Sequence, residues 1–167
     1  DIVPFGDSIS GLLPDAMQEL AVSGFKPGSE ATVLFPRGVP PFVALICYEA
    51  LFPEMTRLAR PQRDDARWIV TISNDAWFGR GLGPAQHYAQ NRYRSIESGL
   101  PMARVASRGK TAVIDGYGRE TARGQRRTGD PEGWVSSVAR APLPDPAPKT
   151  AYQRYGSAIF GLTLAGL

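Results

Sequence analysis

The stretch FVALICYE, residues 42–49, decides how the rest of the sequence is interpreted. Its first five residues are all apolar, a pattern typical of a short strand that is covered on both faces. The run then breaks into Cys47, Tyr48 and Glu49, and Cys47 is the only cysteine of the chain. A strand that aims a thiol and a turn that exposes it suit a nucleophile, whereas a free cysteine that merely ends a strand fills the core. Both interpretations stay open at this point.

A second apolar run, residues 68–73, follows a predicted helix that begins at Pro53. Strand, helix and strand in this order predict a βαβ unit with parallel strands, so the fold class is α/β. Both strands then end at one edge of the sheet, which is where ligands bind in open α/β sheets. We expect the polar residues that follow the two strands, at 47–49 and 74–77, to meet at that edge.

Apolar periodicity and turn residues predict the remaining elements. We predict helices at 11–20, 53–60 and 84–98, strands at 30–35, 102–106, 111–115, 120–123 and 134–138, and a flexible lid or substrate loop at 79–83. Turns at 108–109 and 116–118 join three of these strands, which predicts β-hairpins.

The residues near Cys47 supply some of the groups that thiol chemistry needs. A thiol attacks a carbonyl carbon as the thiolate, and the oxyanion that forms needs a hydrogen-bond donor. We expect the backbone N–H of Tyr48 to be that donor. Glu49 is interpreted either as a base or orienting group, or as a cap of the following helix. His87 is an alternative base, but at the start of a helix we expect it to be solvated or to cap that helix.

Composition limits the kinds of site that the chain can hold. With 167 residues, 43% of them hydrophobic and 21% charged, the chain fits one domain. One cysteine argues against internal disulfides, and one cysteine with one histidine argues against structural zinc. We therefore predict no metal and no cofactor. The net charge of +3 is mildly basic, and the cluster of Arg119, Arg123, Arg126 and Arg127 is interpreted as solvated surface, with no nucleic-acid partner.

The carboxyl-terminal part of the sequence differs from the rest. Residues 141–151 are rich in proline, which is typical of an extended linker. Residues 155–167 are apolar and uncharged, but a helix of that length reaches only about 20 Å, whereas a bilayer core needs about 30 Å. The stretch is interpreted either as a short core or amphipathic helix or as the first part of a membrane helix. The aromatic and basic residues Tyr152, Arg154 and Tyr155 favour the membrane helix. We expect a catalytic domain at 1–140, a linker at 141–151 and the start of a truncated transmembrane helix at 152–167.

Several short motifs stand together in a fixed order. They are VPFG (3–6), ICYE (46–49), SNDAWFG (73–79), GPAQH (83–87), ESGLP (97–101), GKTAV (109–113) and TAY (150–152). Their order and spacing resemble the apolipoprotein N-acyltransferase family, which belongs to the nitrilase, or carbon-nitrogen hydrolase, superfamily. The resemblance covers nearly the whole chain.

This resemblance implies a fold and a set of site residues. The fold is part of a nitrilase-like α-β-β-α sandwich, and Cys47 is the nucleophile that forms a thioester. Tyr48 and Glu49 match family positions around the nucleophile. The family's general-base glutamate and its oxyanion-stabilising lysine precede the VPFG motif, so no residue here takes those roles and we expect the isolated chain to be inactive. Asp7 stands where the family usually has glutamate, and residues 107–108 replace an asparagine-containing pair.

The resemblance also implies a reaction and its partners. The enzyme moves an acyl chain from a phospholipid to the N-terminal amine of a diacylated apolipoprotein, at the extracytoplasmic (periplasmic) side of the bacterial inner membrane. Asn74, Trp77 and Phe78, at the expected sheet edge, are candidate substrate-binding residues, and packing in the sheet is an equal alternative for Trp77 and Phe78. One alternative is a soluble carbon-nitrogen hydrolase, an amidase or nitrilase, that uses the same cysteine. Another is a non-catalytic module that binds lipid or nucleic acid through the arginine cluster.

Overall fold

A six-stranded mixed sheet forms the centre of the fold. The structure, a computed structural model, describes residues 33–57, 65–79, 81–127 and 136–156, together with 158 and 161, and the described residues belong to a compact unit at 31–167. The strands are β1 (Val33–Leu34), β2 (Phe42–Ile46), β3 (Trp68–Asn74), β4 (Met102–Ser107), β5 (Ala112–Ile114) and β6 (Glu120–Arg123), and they lie in chain order across the sheet. A separate antiparallel pair joins β7 (Gln125–Arg127) to β8 (Ser136–Val138).

The predicted βαβ unit is confirmed. Strands β2 and β3 are parallel, β3 and β4 are also parallel, and the short helix α1 (Pro53–Arg57) lies between β2 and β3 in the chain. A turn of 3-10 helix follows each strand of this unit, at Cys47–Leu51 after β2 and at Asp75–Phe78 after β3. Because the strands are parallel, both turns lie at the carboxyl edge of the sheet.

One face of the sheet carries the apolar core. Val43, Leu45, Ile69, Met102 and Ile114 are almost completely buried there. Fully burying a side chain of this kind contributes about 1.5–3 kcal/mol, so these residues fix which face of each strand points inward.

In the part of the chain that the structure describes, the opposite face is only partly covered, whereas the sequence predicts cover on both faces of these strands. Ile46, Ile72 and Val105 lie side by side in register, and they are 63%, 59% and 54% exposed. Nearer the amino ends of the strands, residues 139–143 line an open groove of about 780 Å³ together with Trp68 and Ala103. Their cover does not reach the carboxyl half of this face.

The long helix α2 (Gly83–Ser98) packs against both 3-10 turns. Pro84 occupies its first turn, where a missing N–H costs nothing, and Gly99 ends it with a positive φ of 67°. Its buried positions are mostly polar: His87, Tyr88, Asn91, Arg94, Ser95 and Ser98. Hydrogen bonds, more than apolar contacts, therefore specify its place on the molecule.

The predicted hairpins are confirmed at 102–123, where β4, β5 and β6 pair antiparallel. The turn between β4 and β5 holds Arg108 at a φ of 53°, which is unusual for a residue with a Cβ atom. The strands predicted at 30–35 and 134–138 are described only as β1 and β8. The helix predicted at 11–20, the position of Asp7 and the end of the helix predicted at 53–60 lie outside the described residues.

The proline-rich segment is attached to the domain at its carboxyl end. Ala147 N–H donates to the carbonyl oxygen of Gly99 at 2.7 Å, and Thr150 Oγ1 donates to the carbonyl oxygen of Glu97. Thr150 also caps the short helix α3 (Ala151–Tyr155) by accepting from Gln153 N–H at 3.1 Å. Within the described residues, no helix combines the length and apolar character that crossing a membrane requires. The start of a membrane helix at 152–167 stays a prediction.

Candidate active site

Cys47 stands at a strained position directly after β2. Its φ is 50°, in the left-handed region, and it is the first residue of the 3-10 turn. For a residue with a Cβ atom this conformation costs about 1–2 kcal/mol. Strained backbone of this kind persists only where the surrounding structure enforces it, and it is common at functional positions. The side chain is only partly buried, so the sulfur stands at the sheet edge and is not sealed in the core.

Ser73 connects Cys47 to the neighbouring strand. Its Oγ lies 3.6 Å from Cys47 Sγ and 2.8 Å from Asp75 Oδ1. A hydroxyl group has one proton and two lone pairs, so Ser73 can donate to the Asp75 carboxylate and accept from the thiol at the same time. The polar residues that follow β2 and β3, at 47–49 and 74–77, therefore do meet at the carboxyl edge of the sheet.

Asp75 is a completely buried carboxylate. Burial opposes its ionisation, but hydrogen bonds from His87, Arg104 and Ser73 outweigh that effect and lower its pKa from 3.8 to about 2. Arg104 Nη2 lies 2.8 and 3.0 Å from the two carboxylate oxygens. The Asp75 carboxylate is thus a fixed negative charge that forms an ion pair with Arg104.

His87 is not solvated, so that expectation is wrong. It is 2% exposed; its Nδ1 lies 2.9 Å from Asp75 Oδ1, and its Nε2 lies 3.2 Å from the carbonyl oxygen of Cys47. Since Nε2 faces the backbone of Cys47, it is engaged there and not as a base on the sulfur. The ring of Phe78 packs on the imidazole with centroids 4.7 Å apart.

Arg104 extends this network into the hairpin. The side chain is 1% exposed, and its Nε donates to Asn91 Oδ1 at 3.1 Å while Nη1 donates to the carbonyl oxygen of Lys110. Gly109 closes the space beside it, because a Cβ atom there would lie 2.0 Å from Asp75 Oδ2. Only glycine fits so close to the carboxylate.

A second buried arginine connects the turn after Cys47 to α2. Arg94 Nη1 donates to the carbonyl oxygen of Leu51 at 3.0 Å, and Nη2 donates to Glu97 Oε1 at 2.7 Å. Burial raises the pKa of the Glu97 carboxyl, and the attraction of Arg94 offsets only part of that rise. Helix α2 therefore holds the turn after Cys47 at two places, through His87 at its start and Arg94 near its end.

The candidate site residues next to Cys47 have different surroundings. Glu49 Oε2 accepts the N–H of Ile46 at 2.7 Å. Of the alternative roles for Glu49, the geometry therefore shows that of a cap, on the 3-10 turn that begins at Cys47. Tyr48 is 52% exposed, and its ring contacts Phe52 edge-on. Whether the Tyr48 N–H serves an oxyanion stays a prediction.

The candidates after β3 also differ from one another. Asn74 Oδ1 accepts from Ala76 N–H at 3.2 Å and so caps the second 3-10 turn. Phe78 is half-buried against His87. Trp77 is 81% exposed, which leaves its whole ring available for contact with a substrate.

An open cleft of about 550 Å³ lies beside the second turn. It is lined by Ala76, Gly79, Gly81, Pro84, Ala85, Arg108, Gly109 and Lys110. Within the described part of the chain, no three histidine, cysteine, aspartate or glutamate side chains come together in a way that would hold a metal ion.

Ser73, Asp75 and Arg104 are not among the site residues predicted from the sequence, and His87 lies in a different environment from the predicted one. Two signals were present in the sequence. His87, Asn91 and Arg94 follow the helical spacing of one face, and Arg104 occupies an inward position of the alternating strand MARVAS (102–107). Polar residues repeated on the buried face of an element indicate a buried network, since each needs a partner.

Comparisons with known proteins agree with this architecture. A model of the carbon-nitrogen hydrolase family matches residues 13–139. Proteins named apolipoprotein N-acyltransferase, from Bradyrhizobium diazoefficiens and Rhodopseudomonas palustris, are 39% and 35% identical over 93% of this chain. The chain spans 28% of the length of each of these relatives.

Solved structures share the fold at lower identity. A carbon-nitrogen hydrolase superfamily protein from Xanthomonas campestris, with an arsenic adduct in its active site, has a TM-score of 0.51 and 20% identity over 86% of this chain and 52% of its own. A mutant amidase from Nesterenkonia sp. AN1, with the acetamide moiety of fluoroacetamide covalently added at its active-site cysteine, has a TM-score of 0.54 and 21% identity over 87% of this chain and 51% of its own. The α/β architecture and the family match together show that this chain belongs to the carbon-nitrogen hydrolase family.

Proposed function

We propose that this chain is part of an apolipoprotein N-acyltransferase in which Cys47 carries the acyl group as a thioester. The observation that carries the proposal is the position of Cys47: the sole cysteine of the chain stands partly exposed, at a φ of 50°, where β2 reaches the sheet edge. The names of the relatives from Bradyrhizobium and Rhodopseudomonas supply the class of reaction.

The reaction has two steps. The thiolate of Cys47 attacks the ester carbonyl carbon of a phospholipid, the carbon–oxygen bond breaks, and the lysophospholipid oxygen takes up a proton. The N-terminal amine of a diacylated lipoprotein then attacks the thioester, the carbon–sulfur bond breaks, and the amine nitrogen loses a proton as the amide forms. A covalent intermediate replaces one difficult step with two easier ones. Neither step needs a cofactor.

The surroundings of Cys47 fit a substrate with long acyl chains. Tyr48, Phe52 and Trp77 follow the two central strands and are 52%, 49% and 81% exposed. Large exposed apolar side chains near one site mark a surface for an apolar ligand or a membrane. We assign Trp77, Phe78 and Asn74 to substrate contact, and the protein to the bacterial inner membrane with this domain on the periplasmic side.

The bare face of the sheet supports the sandwich architecture. Ile46, Ile72 and Val105 present apolar surface in the direction where an α-β-β-α sandwich places its second sheet. The proposal assigns that second sheet, with the general-base glutamate and the lysine of the family, to sequence before the VPFG motif. A transmembrane helix that begins near residue 152 belongs to the same proposal.

The test is the acyl-enzyme itself. The full reading frame that encodes residues 1–167 is expressed in membranes and supplied with a phospholipid that carries a labelled acyl chain. We expect a labelled protein adduct that neutral hydroxylamine removes, since hydroxylamine cleaves thioesters. A diacylated lipopeptide with a free amine should then take over the label.

Two variants decide the assignment. Cys47→Ala should give no adduct, and Cys47→Ser should give at most a hydroxylamine-resistant ester. An unchanged hydroxylamine-sensitive adduct in Cys47→Ala would refute Cys47 as the nucleophile. If the wild type instead releases ammonia from simple amides and never labels, the protein is a carbon-nitrogen hydrolase and not an acyltransferase.

A further inference from the structure

Cys47 needs an external constraint to keep its backbone conformation. A φ of 50° is unfavourable for a residue with a Cβ atom, and neither neighbour in the chain is glycine. Part of the constraint comes from the turn itself, in which Phe52 N–H donates to the carbonyl oxygen of Glu49 at 3.1 Å and Glu49 Oε2 accepts the N–H of Ile46 at 2.7 Å. The rest is expected from side chains of other elements that contact the backbone of Cys47.

His87 is placed to supply that constraint. Its Nε2 lies 3.2 Å from the carbonyl oxygen of Cys47, forty residues away in the sequence, and the ring is buried. A carbonyl group that is partly shielded from water needs a hydrogen-bond donor, and Nε2–H is a side-chain donor that faces this one. The bond fixes the peptide plane between Cys47 and Tyr48, which is the plane that carries the proposed oxyanion donor.

The ring of His87 is itself held by a charged pair. Nδ1 lies 2.9 Å from Asp75 Oδ1. Asp75 in turn accepts hydrogen bonds from Arg104 Nη2 at 2.8 Å and from Ser73 Oγ at 2.8 Å. Nδ1 also lies 3.4 Å from Arg104 Nη2, so this nitrogen has both a donor and an acceptor within reach. Phe78 covers one side of the ring, which leaves the imidazole little freedom to rotate.

We propose that His87 is a positioning residue: by donating from Nε2 to the carbonyl oxygen of Cys47, it holds the nucleophile in its left-handed backbone conformation, and the Asp75–Arg104 pair orients the ring. His87 touches no reacting atom in this role. The proposal rests on the proposed function for its effect on catalysis, but the positioning of the turn is independent of the reaction.

A matched pair of variants tests the role. In His87→Gln the side-chain amide nitrogen reaches about as far as Nε2 and keeps the bond to Cys47. In His87→Asn it reaches about as far as Nδ1, and so keeps the bond to Asp75 but loses the one to Cys47. Both variants lose the imidazole and one hydrogen bond, so a purely structural role predicts that they behave alike.

The first measurement uses residues 1–167 alone. We expect hydrogen exchange at the Phe52 amide to be roughly 10-fold faster in His87→Asn than in the wild type, and within about 3-fold of the wild type in His87→Gln, because one net hydrogen bond corresponds to a factor of up to about 10. Equal exchange rates in the two variants would overturn the proposal. If either variant fails to give a cooperative unfolding transition, the exchange rate at the Phe52 amide is compared between wild type and Phe78→Leu, in which the ring keeps its hydrogen-bond partners but loses the packing that limits its rotation; faster exchange in Phe78→Leu is expected, and an unchanged rate would overturn the proposal.

The second measurement uses thioester formation by the full reading frame. We expect kcat to fall roughly 10-fold in His87→Asn with KM unchanged, and His87→Gln to restore most of it. A parallel fall in both variants overturns the positioning role. If the wild type forms no thioester while the exchange rates still differ as expected, the proposed function fails and the positioning role stands.

Discussion

At the scale of single residues, Gly109 shows how little room the site leaves. A Cβ atom at this position would lie 2.0 Å from Asp75 Oδ2 and 2.9 Å from Ala106 Cβ. We expect Gly109→Ala to lower the free energy of unfolding by about 2–3 kcal/mol, because an overpacked site must shift its backbone or break its ion pair. Urea denaturation measures the change.

The matched control is Gly81→Ala in the neighbouring loop. A Cβ atom there meets nothing within 4 Å, so its effect should stay within about 0.5 kcal/mol. Equal effects at the two glycines would contradict the close approach of Gly109 to Asp75.

The charge on Asp75 predicts an acid-sensitive contribution to stability. Its pKa of about 2 in the fold lies below the ordinary value of 3.8. The carboxylate therefore stabilises the fold above pH 4, and this contribution, roughly 2 kcal/mol, is lost as the pH falls toward 2. At neutral pH, Asp75→Asn should cost about 3–5 kcal/mol, because it leaves the buried charge of Arg104 unpaired.

Denaturation curves at several pH values separate this effect from that of other carboxyls. The difference in free energy of unfolding between wild type and Asp75→Asn should become smaller from pH 4 to pH 2. Asp145 is exposed, so Asp145→Asn should have the same free energy of unfolding as the wild type throughout that range. A constant difference across that range would mean that the Asp75 carboxylate does not titrate as described.

At the scale of elements, the prediction from sequence succeeded where local pattern decides. The apolar runs of β2 and β3, the helix at 83–98 and the hairpin turns follow from residue type and spacing. The side-chain network did not follow, because Asp75, His87 and Arg104 join three elements that are far apart in the sequence. Hydropathy also misrepresents α2, whose buried positions are mainly polar.

Thr150 fastens α3 to the end of α2. Its Oγ1 donates to the Glu97 carbonyl oxygen and accepts from Gln153 N–H. Thr150→Ala should remove the cap at a cost of about 1 kcal/mol. Because the bond from Thr150 to Glu97 is one of those that hold this part of the chain on α2, we expect faster hydrogen exchange at Gln153 and earlier proteolysis after residue 140, with the global unfolding transition little changed.

Thr121→Ala serves as the comparison for Thr150. Thr121 Oγ1 also donates to a backbone carbonyl oxygen, that of Val113 at 3.3 Å, but at an exposed strand position. That variant should leave exchange at Gln153 unchanged. A release of the 141–156 segment in both variants, or in neither, would refute the role of Thr150 as its attachment.

At the scale of the whole molecule, the bare sheet face predicts self-association of the isolated chain. Ile46, Ile72 and Val105 form a continuous exposed apolar strip, and surfaces of this kind mark interaction sites. We expect residues 1–167 to associate as concentration rises in analytical ultracentrifugation. Replacing Ile72 and Val105 by threonine should weaken the association, since threonine keeps the β-branched shape and adds a hydroxyl.

The control lies on the other face of the same strand. Ile69 is completely buried, so Ile69→Thr should unfold the domain or lower its stability by more than about 2 kcal/mol. A chain that stays monomeric at every concentration would show that the strip needs no cover.

The polar underside of α2 has a consequence for how this sequence can change over generations. Apolar surfaces tolerate many substitutions of similar size, whereas His87, Asn91 and Arg94 each satisfy a particular atom of another element. A single replacement leaves the partner group without its hydrogen bond. We therefore expect substitutions at these positions to be rare and to occur together with a substitution of the partner. Paired substitutions at contacting positions, such as 91 and 104, should therefore be more common among diverged relatives than a substitution at one of the two positions alone.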